Sequence, residues 1–178
     1  MIDRLRARLP HVAVEAIEPS DQPTIRVPEA QLVEVFKTLR DDPDLAFRFL
    51  ADISAVDWWP REPRFEVVYH LASDRERLRV KVAVGGHDAH LPTLQPLWPA
   101  ANWLEREVWD MFGIVFDDHG DLRRLLMPED WEGYPLRKDF PVQIRLRPQT
   151  SQPLQVSEEE FRANLAADRS ARHRPSGT

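Results

Sequence analysis

The sequence predicts a two-layer α+β domain with a mixed or antiparallel sheet and helices, followed by an extended C-terminal arm. Three observations predict it. Phe65 to Ala72 and Leu78 to Val84 are adjacent strand-like runs, and in the second Leu78, Val80, Val82 and Val84 alternate with Arg79 and Lys81, as in a half-buried strand. Helical patterns stand before and after these runs, so the order is helix, strands, helix, strands, helix. Beyond residue 116 the chain turns polar and proline-punctuated, with too little apolar content for a core of its own. The expected division is therefore a domain over 1–116 and an arm over 117–178.

Residues 2–9 suit a short helix with Ile2, Leu5 and Leu9 on one face. Val12 to Ile17 alternates as a strand, Ser20, Asp21 and Pro23 make a turn, and Thr24 to Val27 is a second short strand. Pro28 suits the first turn of a helix, where its missing N–H costs nothing, and Leu32, Val33, Phe36 and Leu39 form that helix's apolar face. Asp41-Asp42-Pro43 ends it, and Leu45 to Leu50 reads as a further helical turn or two. Ile53 to Trp58 reads as a strand and Trp59 to Pro63 as a loop. Ser73 to Glu76 is short enough to join the two clearest strands as a hairpin, closed by Gly85-Gly86. His87 to Pro99 reads as a loop.

Leu104, Val108, Met111 and Val115 share a helical face, which predicts a helix over about 100–112, with Pro99 and Asn102 at its start and Gly113 at its end. Arg106 and Asp110 stand at i,i+4, where they can pair. Asp117 to Asp121 is a polar turn, and Pro128, Pro135, Pro141 and Pro148 then block regular structure. Such a segment, carrying Trp131, Tyr134 and Phe140, is expected to lie on another protein, with arginines making paired hydrogen bonds. Ser157 and Glu160 form a capping-box pattern for a short helix at 158–172, and the end of the chain is expected to be disordered.

Composition excludes several functions. The chain has 178 residues, enough for one domain, and no apolar run near the length that crosses a bilayer. A net charge of −6 argues against a general nucleic-acid binder and gives no sign of electrostatic attachment to anionic lipid. The absence of cysteine excludes disulfides, thiol catalysis and cysteine ligation of iron–sulfur clusters. The N-terminus is Arg-rich, but it contains Asp3, lacks serine and stops at Pro10. It reads as the start of a mature chain in a bacterial cytoplasm rather than a targeting peptide.

Glu105, Glu107, Asp110 and His119 are the candidates for hydrolytic or metal chemistry. A metal site needs at least three to converge, yet two residues turn a helix by about 200°, which sends Glu105 away from Glu107. A charged face making interface ion pairs is the favoured reading, with an autonomous metal-dependent hydrolase as the alternative from another class. His119 is expected to bond locally and fix its turn. His87-x-x-His90 reads as a solvated pair, Gly85-Gly86 forms no phosphate loop, and Trp58, Trp59, Trp98 and Trp103 suit either core or interface.

The series Glu105-Arg106-Glu107-x-x-Asp110-Met111-Phe112, then His119, then Arg123-Arg124-Leu125-Leu126 resembles the signature of the 30-kDa subunit family of respiratory complex I, NADH–quinone oxidoreductase. Pro128 to Pro141 (PEDWEGYPLRKDFP) is similar to the same family. Tyr134 stands where His is common and Gly120 where Pro is common, which leaves the branch of the family open. The resemblance implies a non-catalytic scaffold subunit that holds no cofactor or metal itself, within a complex that carries FMN, iron–sulfur clusters and quinone. It implies a peripheral place on the cytoplasmic side of the bacterial cell membrane. The implied partners are chiefly the quinone-site subunit (D), then the terminal-cluster subunit (B), with one further peripheral-arm subunit (I) as a neighbour. The expected interface residues are Glu105, Arg106, Glu107, Asp110, His119, Arg123, Arg124, Trp131, Arg137, Lys138 and Asp139. The nearest alternative is the matching subunit of a ferredoxin- or hydrogenase-linked membrane complex.

Overall fold

In the computed structural model, which describes residues 1–18, 21–141 and 162–163, the elements follow in the order α1 (Ile2–Arg8), β1 (Glu15–Ala16), β2 (Thr24–Arg26), α2 (Leu32–Asp41), β3 (Phe49–Asp57), β4 (Phe65–Ala72), β5 (Arg77–Val84), β6 (His90–Pro92), α3 (Ala101–Phe112) and β7 (Val115–Asp117). A 3₁₀ turn, Glu29–Gln31, leads into α2 after Pro28. Five strands form one sheet in the order β1-β2-β5-β4-β3. It is a mixed sheet, because β2 runs parallel to β5 while the other pairs are antiparallel.

Alternation decides the two faces. Phe65, Val67, Tyr69 and Leu71 on β4 stand opposite Val84, Val82, Val80 and Leu78 on β5, and all eight are buried. Leu32, Val35, Phe36 and Leu39 of α2 and Leu5 of α1 belong to the same core. Phe36 meets the Tyr69 ring edge-on at 4.8 Å. The other face is polar: Glu66 accepts from Lys81 at 2.7 Å and lies 3.5 Å from Arg26.

Three expectations are corrected. Leu45 to Leu50 is not helical. Asp42 leaves α2 in an extended conformation, Ala46 takes a left-handed φ of 47°, and β3 begins at Phe49. The buried Leu45 and Phe47 are two residues apart, a strand-like spacing within a run that is apolar enough to look helical. The His87–Pro99 loop contains β6, which pairs in parallel with β7 across α3. Val115, counted with the helical face, opens β7 because Gly113 turns the chain at φ 73°.

The chain divides into two compact units, Met1–Phe140 and Pro141–Thr178. Residues 117–140, assigned to the arm on sequence, thus fall within the first unit. In the second, residues 162–163 are helical and exposed. The Ser157–Glu160 capping box, the rest of the 158–172 helix and the expected disordered end lie outside the described residues.

Candidate functional site

Helix α3 holds the chain that follows it with two side chains one turn apart. Arg106 donates from Nε to the Arg123 carbonyl at 3.1 Å and from Nη2 to the Arg124 carbonyl at 3.2 Å. Its guanidinium also lies 5.0 Å from the Trp103 ring centroid. Asp110, with no exposed surface, accepts at Oδ2 from the N–H groups of Leu125, Leu126 and Met127 at 3.0, 2.7 and 2.9 Å. Its Oδ1 accepts from Arg124 Nη1 at 2.7 Å. The i,i+4 spacing therefore does not pair Arg106 with Asp110. It sets one side chain against the carbonyls and the other against the amides of a single passing segment, backbone groups that secondary structure leaves unsatisfied there. Burial works to raise the Asp110 carboxyl, but these N–H groups and Arg124 outweigh it and hold it below the ordinary range.

Arginines carry the fastening onward. Arg124 donates to the carbonyls of Trp131 and Gly133 at 2.8 and 3.0 Å. It lies 5.7 Å from the Trp109 ring and 5.6 Å from the Tyr134 ring. Arg137 then lies 4.5 Å from the Tyr134 ring and 5.3 Å from the Phe65 ring. Cations and rings thus alternate as Trp109, Arg124, Tyr134, Arg137, Phe65, an arrangement that favours Arg over Lys. Arg137 Nε donates to the Phe112 carbonyl, and the Leu136 N–H donates to the Met111 carbonyl at 3.1 Å. Gly113 is required here: a Cβ on it would overlap the Tyr134 ring and Arg137, and its positive φ strains any other residue.

The last clamp closes over a long sequence distance. Arg64 grips Asp57 at 3.0 and 2.8 Å and Asp139 at 3.0 and 2.7 Å, and Asp57 also accepts the Lys138 N–H at 2.8 Å. Burial works to raise Asp57, yet Arg64 and the N–H groups of Lys138 and Trp59 hold it down at about 2. Sequence reasoning missed Asp57 and Arg64. Asp57 ends a strand and Arg64 precedes one, and nothing local points to a partner 75 or more residues away.

Glu105 occupies the core side of α3. It is fully buried and accepts from Thr93 Oγ1 at 2.5 Å and from the Leu94 N–H at 2.7 Å. Burial raises its carboxyl to about 7, against the pull of these two donors. His119 Nε2 lies 3.9 Å from Glu105, and both side chains are fully buried. His119 fixes its turn as expected: Nδ1 accepts the Asp121 N–H at 3.1 Å, and Nε2 donates to the Asn102 carbonyl at 3.1 Å.

The eleven residues expected at an interface thus separate. Glu105, Arg106, Asp110 and the His119 side chain are buried and bonded within the chain. Arg124 keeps 12% of its side chain exposed, and Arg137 and Asp139 are likewise bonded internally. Trp131 is half-buried and stacks on Phe140 at 6.3 Å. Glu107, Arg123 and Lys138 are exposed. Among the tryptophans, Trp98 is core, while Trp58, Trp59 and Trp103 are 41%, 50% and 58% exposed. Among the described residues no three His, Cys, Asp or Glu side chains converge on a point that could hold a metal ion. His90 bonds Asp117 at 2.8 Å and Asp88 at 3.0 Å, and His87 is exposed.

Residues 25–145 match the family described as "Respiratory-chain NADH dehydrogenase, 30 Kd subunit". The chain belongs to that family. Among its relatives, an NADH-quinone oxidoreductase subunit of this kind from Roseiflexus sp. is 50% identical over 144 residues, covering 80% of this chain and 83% of the relative. The corresponding NADH-quinone oxidoreductase subunit of Citrifermentans bemidjiense is 43% identical over 142 residues, covering 79% and 87%. A solved structure of Nqo5, a trypsin-resistant fragment (1-134), is similar at a TM-score of 0.56 and 36% identity, covering 68% of this chain and 96% of the fragment. A chain of the membrane-bound sulfane sulfur reductase, an archaeal respiratory membrane complex, is similar at a TM-score of 0.67 and 27% identity, covering 79% and 84%. The α3 fastening lies inside the matched region of this 30-kDa-subunit family member. Among the described residues no helix is long and apolar enough to cross a membrane.

Proposed function

We propose that this chain is the 30-kDa component of a proton-translocating NADH–quinone oxidoreductase and acts there as a cofactor-free scaffold. It would hold the quinone-site subunit and the terminal-cluster subunit in register, with one further peripheral-arm subunit as a neighbour, on the cytoplasmic side of the membrane. FMN, the iron–sulfur clusters and quinone would belong to other subunits. Fixed spacing matters for this role because electron tunnelling falls steeply with distance.

The observation that carries the reading is the two-sidedness of residues 121–140. Asp110, Arg106 and Arg124 bond the inward backbone groups of the segment, while Leu126 and Leu136 are 60% and 55% exposed, beside the exposed Arg123 and Lys138. On α3, Trp103 and Glu107 are exposed as well. A pre-ordered irregular segment presenting large apolar side chains among charges suits a protein interface, because its ordering entropy is met before docking. The interface anchors are therefore Trp103, Glu107, Arg123, Leu126, Leu136 and Lys138, with the buried members of the motif positioning them.

The test is a tagged pull-down of the full chain from gently solubilised membranes, with partners identified by mass spectrometry. Cluster-bearing and quinone-site subunits in equal stoichiometry support the reading; the chain recovered alone, soluble and stable, sinks it. The likeness to a chain of the sulfane sulfur reductase favours a second reading, the equivalent subunit of a related membrane complex. An NADH-oxidising module in the same pull-down supports the first and its replacement by another donor module the second.

A further inference from the structure

Glu105 is a buried carboxyl that neither the segment fastening nor the exposed surface uses. Four elements close on it. Tyr69 of β4 is fully buried, its hydroxyl has no hydrogen-bond partner among the described residues, and its cross-strand neighbours are the apolar Ile53 and Val80. The segment after β6 supplies Thr93 and the Leu94 N–H, and Thr93 Oγ1 also accepts the Gln95 N–H at 3.1 Å. The turn after β7 supplies His119, whose Nε2 lies 3.9 Å from Glu105 and whose Nδ1 bonds the Asp121 N–H. On α3 itself, Arg106 is turned to the Arg123 and Arg124 carbonyls, Asp110 to the amides of 125–127, and Glu107 to solvent. Among the described residues, no Arg or Lys bonds Glu105.

We propose that Glu105 is a buried proton-binding group that joins α3 to the segment at 93–94 in either protonation state and makes the folded chain less stable as pH rises toward neutral. Ionised, it accepts from both Thr93 and Leu94. On taking one proton from solvent it still accepts from Leu94, and it donates to Thr93 Oγ1, a hydroxyl able to reverse its role. The contact survives both states, but only the ionised one leaves a buried carboxylate with no Arg or Lys bonded to it among the described residues. Burial of the carboxyl, which brings it to about 7, puts the change near neutral pH. The proposal concerns this chain's own groups and stands or falls separately from the scaffold reading.

The test uses the full chain labelled with carboxyl-¹³C glutamate. Infrared spectra read a protonated, buried glutamic acid directly, and denaturant unfolding reads its linkage. Between about pH 5.5 and 8, above the range where the other glutamates protonate, the isotope-shifted acid band is expected in the wild type at the acid end, lost as pH rises through about 7, and absent in Glu105→Gln. The folding constant should fall by up to tenfold per pH unit between 4.5 and about 7 in the wild type and stay flat in Glu105→Gln. Thr93→Val removes one donor to the ionised form and should move the midpoint upward while keeping the slope. An acid band that persists in Glu105→Gln, a wild-type Glu105 ionised throughout this range, or an unmoved midpoint in Thr93→Val overturns the proposal. The wild-type spectrum decides it even if Glu105→Gln does not fold.

Discussion

In the β4–β5 hairpin, eight alternating side chains put apolar atoms on one face, and the backbone satisfies its polar groups across the ladder. In residues 121–140 almost nothing alternates and no ladder forms. Beside a few turn bonds, side chains hold its backbone: Asp110 and Arg106 from α3 for 125–127 and 123–124, and the segment's own Arg124 for 131 and 133. Both regions belong to the same compact unit. The hairpin distributes its stability over many interchangeable contacts, whereas the segment concentrates it in a few irreplaceable ones. Core volume tolerates conservative swaps. A buried charge that satisfies several N–H groups does not, because its removal leaves each of them unpaired.

The comparison can be tested by breaking each region where it is strongest. Asp110→Ala should have the largest effect, about 3–5 kcal/mol on the segment, since it strips three amides and leaves Arg124 without its carboxylate. Amide exchange at Leu125, Leu126 and Met127 should rise more than about a hundredfold while the β4–β5 amides change less. Equal acceleration in both regions would mean that they unfold as one. Leu78→Ala should cost about 2–5 kcal/mol in denaturant unfolding and lower protection throughout the sheet.

Acid should loosen the segment's far end. Asp57 is depressed from 3.8 to about 2, so the folded state binds fewer protons than the unfolded one between those values. Its contribution, about 2 kcal/mol, is present above that window and lost as pH falls through about 2. Asp57→Asn should flatten that acid limb, measured by exchange of the Lys138 amide. Arg137→Lys should cost about 1–2 kcal/mol, because an ammonium cannot stack flat between Tyr134 and Phe65 while bonding the end of α3. Lys138→Ala should change the stability of the isolated chain by less than about 0.5 kcal/mol. In the proposed complex it should impair assembly without altering the clusters of whatever complex forms; normal assembly would remove Lys138 from the interface.

Sequence determined the parts governed by local rules. The alternation of Leu78 to Val84, the apolar stripe of α2, Pro28 before it and Gly113 after α3 were all legible, because period, capping and backbone freedom act over a few residues. The signature over 105–141 also disclosed the family. Tertiary structure alone decided where the charged members of that signature point. On a helix wheel Glu105, Arg106 and Asp110 look like surface charges, but Thr93, the 123–127 segment and the Asp57–Arg64 pair arrive from 12 to 81 residues away to meet these residues or close the arm. The left-handed Ala46, which ends a run that looked helical, and β6, whose partner lies beyond α3, were equally illegible. A charge in sequence has no stated partner. Whether it faces water, a neighbouring subunit or its own backbone depends on which distant groups the fold leaves unsatisfied.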